Sequence, residues 1–107
     1  MEMAEYLKRA KHLFESVENK LDEYEDDMDY DQVDGKIEII FENGSSRLVV
    51  NTQRAISEIW LAGGARAWHF KWIDEKQQWL AEAEQEEFYQ LLARLIEDRI
   101  KKKIVFD

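Results

Sequence analysis

The fold follows from KIEIIFENGSSRLVVN, residues 36–51, which predicts two antiparallel strands joined by a tight turn. Asn43-Gly44 is the residue pair favoured in two-residue type I′ hairpin turns. Counting outward from this turn places Ile39 opposite Leu48. One face of the hairpin then carries only apolar side chains: Ile37, Ile39, Phe41, Leu48 and Val50. Because a buried face fixes the register of a strand pair, the hairpin predicts a sheet that packs one side on a core.

Shorter alternating segments flank this hairpin. Upstream, residues 28–33 alternate acidic with larger side chains, which predicts an edge strand whose Asp29 and Asp31 face water. Downstream, residues 58–62 predict a strand that ends at a Gly63-Gly64 break. Residues 68–73 alternate aromatic side chains with His69, Lys71 and Ile73, and a polar turn separates them from a last strand at Trp79. The sequence therefore predicts five or six antiparallel strands.

Two amphipathic helices enclose these strands. Apolar residues between Met3 and Tyr24 recur in steps of three and four, which predicts a helix of about six turns. The same spacing runs from Phe88 to Ile100, with glutamates before it and lysines after it, as the helix dipole favours. We therefore expect an α+β two-layer sandwich, with two terminal helices packed on one face of a five- to six-stranded antiparallel sheet. Residues 1–107 form one domain in this prediction, and the second sheet face is open to solvent.

The net charge of the chain is concentrated in twenty residues. Between Glu15 and Asp34 there are ten carboxylates and one base, Lys20, which accounts for the whole formal net charge of −9. Several of these carboxylates crowd the C-terminal end of the first helix, where the helix dipole disfavours negative charge. Because crowded carboxylates weaken a fold, we expect them to capture metal cations or a basic partner surface. Carboxylate oxygen suits hard cations, among them Fe²⁺, Fe³⁺, Mn²⁺, Ca²⁺ and Mg²⁺.

The composition excludes several classes of protein. The chain has no cysteine, so disulfides, thiolate nucleophiles and cysteine-ligated metal sites are ruled out. An acidic chain without a basic stripe would repel nucleic acid, and no apolar run approaches the roughly 18 residues that a membrane span needs. We therefore expect a cytoplasmic protein that binds neither nucleic acid nor membrane. No Ser-His-Asp order or glycine-rich phosphate loop is present, so we do not expect an enzyme.

Trp60 is the candidate anchor for a partner. Its neighbours Ile59 and Leu61 take the core side of their strand, so alternation directs the Trp60 indole to the open sheet face. A large exposed aromatic side chain is typical of a binding hot spot. A loop or terminus covering the indole is an equally good interpretation of the spacing. We expect His12 and His69 to be surface or strand-facing histidines without a site.

Several of these residues together resemble a known family. The acidic first helix and edge strand are followed by Phe41-Glu42-Asn43-Gly44-Ser45, Asn51-Thr52-Gln53 and Ile59-Trp60-Leu61-Ala62. This order is similar to the frataxin family in its short bacterial form, CyaY. The similarity covers nearly the whole chain, including Trp68-His69-Phe70, Trp79 and the start of the last helix.

The resemblance implies a function and a set of residues. It implies weak binding of Fe²⁺ or Fe³⁺ on an acidic ridge and regulation of iron-sulfur cluster assembly. The ridge residues it implies are Glu18, Asp22, Glu23, Glu25, Asp27, Asp29 and Asp31, which we call the acidic ridge. It further implies that the ridge, Asp22 and Glu23 included, docks on basic residues of the cysteine desulfurase. Trp60, Asn51 and Gln53 would face the scaffold protein on which clusters form.

Two departures from the family pattern and two rival functions stay open. Ala55 stands where relatives usually carry proline, which predicts a looser turn into the Trp60 strand, and Asn19 stands where several relatives carry an acid. Whether the protein acts as an iron-dependent modulator or as an iron donor also stays open. The first rival function is ferroxidase activity or iron storage on the same ridge. The second is an acidic decoy that binds some other basic protein or mimics nucleic acid. We expect a monomer, with iron-driven oligomers possible.

Overall fold

The fold is a seven-stranded antiparallel meander with two terminal helices packed on one of its faces. The computed structural model describes residues 1–106, and within them the strands lie side by side in sequence order. The helices are α1 (Met3–Leu21) and α2 (Phe88–Ile100). The strands are β1 (Met28–Val33), β2 (Lys36–Phe41), β3 (Leu48–Gln53), β4 (Glu58–Gly63), β5 (Arg66–Ile73), β6 (Gln78–Ala81) and β7 (Glu86–Glu87).

The α+β sandwich predicted from the sequence is confirmed. Both helices bury their apolar stripe against one face of the sheet, and the residues predicted to share that face are buried. From the sheet these are Ile37, Ile39, Phe41, Leu48 and Val50, and from the helices they include Tyr6, Leu13, Val17, Phe88 and Leu92. The other sheet face carries half-buried and exposed side chains. Neither helix of residues 1–106 is long and apolar enough to cross a membrane.

The predicted register of the β2–β3 hairpin is confirmed, but the predicted type I′ turn is wrong. Ile39 pairs with Leu48 as expected, yet pairing stops there, and φ is positive at Gly44 but not at Asn43. A type I′ turn needs positive φ at both of its central residues. The C-terminal end of α2 opens the loop instead, because Arg99 donates from Nε to the Ser46 carbonyl and accepts at its own carbonyl from the Asn43 amide.

The sheet has seven strands, one or two more than the five to six predicted, and the strand missed in either case is β7, which is only two residues long. Glu86 and Glu87, two of the glutamates predicted to open the second helix, pair with Ala81 and Leu80 of β6. Glu87 is also the N-cap of α2, since its carboxylate accepts hydrogen bonds from the backbone N–H of Tyr89 and Gln90. Glu87 therefore both ends the sheet and begins the helix. Sequence periodicity alone cannot show that one residue has both roles.

Two predicted element ends also move. The first helix stops at Leu21, and Asp22–Tyr24 form a single 3₁₀ turn rather than continuing the α-helix. The break after the Trp60 strand falls at Gly64-Ala65, because Gly63 still pairs with Arg66. A Cβ on Gly63 would come within 2.5 Å of a Leu48 methyl group, so this glycine serves close packing.

The C-terminal segment, residues 101–106, returns across the helical layer. Ile104 is buried, and its backbone N–H donates to the Glu97 carboxylate at 3.0 Å. The phenol of Tyr24 donates to the Lys103 carbonyl, and the Phe106 ring packs against that of Tyr89. The segment therefore joins α2 to the residues that follow α1.

Candidate metal and partner-binding surfaces

Tyr30 lies at the centre of the acidic ridge. Its phenol donates a 2.9 Å hydrogen bond to Oδ1 of Asp22, which ties β1 to the 3₁₀ turn that follows α1. Burial and this bond to Asp22 raise the pKa of Tyr30 from 10.0 to about 12, and the charges of Glu18 and Asp29 act in the same direction. The structure thus brings three predicted ridge residues, Glu18, Asp22 and Asp29, around one phenol.

Glu18 shows that these carboxylates repel one another. It is half-buried on the last full turn of α1, and burial raises the pKa of its carboxyl group above the ordinary 4.5. The neighbouring charges of Asp22 and Glu15 raise it further. Since the charged form is disfavoured in the folded protein, ionised Glu18 lowers the free energy of unfolding.

Besides Asp22, three ridge carboxylates have partners within the chain. Glu23 forms an ion pair with Lys20 at 3.3 Å, and Asp27 forms one with Lys102 at 2.8 Å. Asp29 accepts a hydrogen bond from the backbone N–H of Tyr30 at 2.8 Å. The Asp27 pair links the ridge directly to the C-terminal segment.

The predicted metal ligands form an open row of carboxylates. Glu25 lies in the turn before β1 and Asp31 on β1, both exposed. Within residues 1–106, no group of three or more His, Asp or Glu side chains is close enough to hold a metal ion. The donor atoms are carboxylate oxygens, which suit hard cations, and this spacing suits a hydrated ion that meets one or two carboxylates at a time.

The predicted partner surface lies on the open sheet face. Asn51 of β3 is directly opposite Trp60 of β4, and Gln53 lies two residues further along the same strand. The Trp60 indole is half-buried and donates from Nε1 to the Glu58 carboxylate at 2.7 Å. No loop of the described chain buries it, so of the two interpretations of its spacing the structure favours the accessible one.

His69, which we expected to have no site, is part of this surface. It pairs with Trp60 across the β4–β5 ladder, and the two rings stack with centroids 4.0 Å apart and planes 12° apart. A turn centred on Gly64-Ala65 would have predicted this pairing from the sequence, whereas the assumed Gly63-Gly64 break does not. We call Asn51, Gln53, Trp60 and His69 the tryptophan face.

Comparison with known proteins identifies this architecture. A meander sheet covered on one side by two terminal helices, with an acidic edge and an open second face, defines a frataxin-like protein. The family model described as a frataxin-like domain matches residues 1–102. The chain therefore belongs to the frataxin family.

Individual relatives agree with this assignment. A protein of Albidiferax ferrireducens named iron-sulfur cluster assembly protein CyaY is 34% identical over 94 residues, 84% of each chain. A protein of the same name from Paraburkholderia xenovorans is 29% identical and covers 100% of this chain and 99% of its own. The solved structure of frataxin from Psychromonas ingrahamii has a TM-score of 0.90 at 27% identity, covering 100% of this chain and 99% of its own. The resemblance drawn from the sequence is thus confirmed.

Proposed function

We propose that this protein is an iron-binding regulator of iron-sulfur cluster assembly. The acidic ridge binds Fe²⁺ or Fe³⁺ weakly, and the same carboxylates dock on a basic surface of the cysteine desulfurase. The observation that carries the proposal is the crowding of Glu18, Asp22 and Asp29 around Tyr30 at a cost in stability. The names of the relatives, which are those of iron-sulfur cluster assembly proteins, support the choice of pathway.

Iron and the desulfurase would compete for the ridge. A hydrated cation and a Lys or Arg side chain both seek carboxylate oxygen, so each weakens the binding of the other where they share a residue. An open row of carboxylates supports weak, reversible binding, as a regulator that responds to iron requires. The tryptophan face contacts the scaffold protein, with Trp60 as its anchor and the amides of Asn51 and Gln53 beside it.

Charge reversal on the ridge tests desulfurase docking. We expect Asp22→Lys with Glu23→Lys to abolish binding to the desulfurase in a low-salt titration, because attraction becomes repulsion. The matched control is Glu82→Lys with Glu84→Lys, two exposed carboxylates between β6 and β7, which makes the same change in net charge. Equal affinity of the two double variants would contradict the proposal.

Truncation of Trp60 tests the scaffold contact. We expect Trp60→Ala to weaken scaffold binding while lowering the free energy of unfolding by about 1 kcal/mol or less, since the indole is only half-buried. A loss of several kcal/mol would show that the side chain serves the fold. An unchanged scaffold affinity would remove the tryptophan face from the proposal.

Two further measurements separate the rival functions. Oxygen uptake proportional to added Fe²⁺ at catalytic protein concentration would favour the ferroxidase or iron-storage alternative on the same ridge. A decoy that binds some other basic protein predicts binding indifferent to iron and to Trp60→Ala. The regulator predicts neither result, and it predicts that the wild-type protein changes the rate of cluster formation in an iron-dependent way.

A further inference from the structure

A groove runs between the two helices, on the side of the molecule that covers the sheet. Its volume is about 850 Å³, and it is lined by the first half of α1, the β5–β6 turn, α2 and the C-terminal segment. This volume lies in the range of sites that hold small organic molecules. None of the residues of the acidic ridge or the tryptophan face lines it.

Aromatic rings form the walls and floor of the groove. Trp79 is buried beneath it, and Trp72, Tyr89 and Phe106 are half-buried along it. Arg9 fixes one wall, since its guanidinium lies 4.1 Å from the centre of the Trp72 ring and pairs with Glu5 at 3.0 Å. Flat apolar surfaces held in this way suit an aromatic or aliphatic body.

Three cationic or protonatable side chains at the groove have no ion-pair partner within residues 1–106. They are Lys8, His12 and Lys103, and all three are exposed. The two groove carboxylates are both engaged by backbone N–H groups, Glu87 at the start of α2 and Glu97 at Ile104. The residues that line the groove therefore carry four fixed positive charges, on Lys8, Arg9, Arg94 and Lys103, against two carboxylates, on a chain whose net charge is −9.

We propose that the groove between α1 and α2 binds a small organic anion with an apolar body. The body packs on Trp72, Trp79 and Tyr89, and its acidic group, a carboxylate, sulfonate or phosphate, meets Lys8, His12 and Lys103. An anion is favoured over a neutral ligand because the lysines lie at the edge of a partly desolvated apolar surface, where charge attraction exceeds that in open water. This site is independent of the function proposed for the ridge.

Fluorescence titration with anilinonaphthalene sulfonate tests the proposal on the full chain. The neutral analogue N-phenylnaphthylamine has the same body without the sulfonate. We expect saturable binding of one sulfonate per chain, at least tenfold tighter than the neutral probe, and weakened by added salt. In ¹⁵N spectra of the four tryptophan indoles, the probe should shift Trp72 and Trp79 and leave Trp60 and Trp68 in place.

A matched pair of variants assigns the charge. Lys8→Glu with Lys103→Glu should weaken sulfonate binding about tenfold. Lys11→Glu with Lys36→Glu, which changes two exposed lysines outside the groove by the same charge, should leave the affinity unchanged. Equal affinities of the two double variants, equal affinities of the two probes, or shifts centred on Trp60 would each overturn the proposal.

Discussion

Glu18 is the residue at which the cost of the acidic ridge is most visible. Burial and its neighbours Asp22 and Glu15 raise the pKa of its carboxyl group, so ionisation is harder in the folded protein than in the unfolded chain. The free energy of unfolding therefore falls as the pH rises through the ordinary value of 4.5 and on to the raised one.

Neutralising Glu18 should stabilise the protein. We expect Glu18→Gln to raise the free energy of unfolding by about 0.5 kcal/mol at neutral pH, because repulsion along α1 is relieved. The advantage should shrink as the pH falls through the raised pKa of Glu18 towards 4.5, and it should be absent at lower pH, where Glu18 of the wild type is protonated too. Thermal unfolding across this pH range measures both effects, with the exposed Glu82→Gln as control. A lower melting temperature for Glu18→Gln at neutral pH would contradict the account.

The Tyr30 phenol should lose its proton only at high pH, and its neutral form should stabilise the acidic ridge. Its pKa of about 12 exceeds the ordinary 10.0, so its contribution is complete below pH 10 and is lost as the pH rises to about 12. We expect Tyr30→Phe to lower the free energy of unfolding by about 1 kcal/mol at neutral pH. Ultraviolet titration of the phenol provides the check, and Asp22→Asn should lower its pKa. A wild-type Tyr30 that titrates at its ordinary value would refute the contact.

At the residue scale the sequence predicts positions better than contacts. Alternation correctly places Trp60 on the open face, because a strand has a strict period of two. It cannot predict that Tyr30 bonds to Asp22, since that contact depends on where α1 ends. The stacking of His69 on Trp60 depends in the same way on a turn that lies one residue from its expected place.

At the element scale, the sequence pattern of the β2–β3 hairpin predicts its register but not its turn. Its register is predictable because a slip by one residue would expose every apolar side chain of one face. Its turn is not predictable, because Arg99, more than fifty residues away in the chain, holds the Ser46 carbonyl and shapes the loop. Strand β7 is not predictable from the sequence because two residues are too few to show the alternation of a strand.

The turn before β4 offers a test of the Ala55 departure from the family pattern. Residues 54–56 form a 3₁₀ turn closed by the Ser57 N–H on the Arg54 carbonyl, so Ala55 is the second residue of the turn. Proline is favoured at that position of a turn, and it reduces the conformational entropy of the unfolded chain. We expect Ala55→Pro to raise the free energy of unfolding by about 0.5 to 1 kcal/mol in urea denaturation.

The neighbouring position gives the control for this prediction. Ile56→Pro places proline at the third residue of the same turn, where it is disfavoured, and should destabilise the protein. If Ala55→Pro also destabilised the protein, the turn would not have the conformation described. Ala55 would then not be the reason for a looser turn.

At the scale of the whole molecule, charge is distributed unevenly over the surface. The segment from Glu15 to Asp34 carries the whole net charge, whereas unpaired cations collect at the groove between the helices. The Asp27–Lys102 ion pair joins the ridge to the C-terminal segment that lines the groove. Composition predicts the acidic region, but the groove arises only when distant parts of the chain meet.

The central claim is that one set of ridge carboxylates serves both iron and the desulfurase. Its most direct test is a ¹⁵N-labelled sample titrated first with Fe²⁺ and then with the cysteine desulfurase, following each backbone amide. The account predicts that both ligands perturb the amides of Asp22, Glu23 and Tyr30, and that the desulfurase displaces iron from them. Iron effects confined to other residues, or desulfurase binding that leaves these amides unchanged, would contradict it.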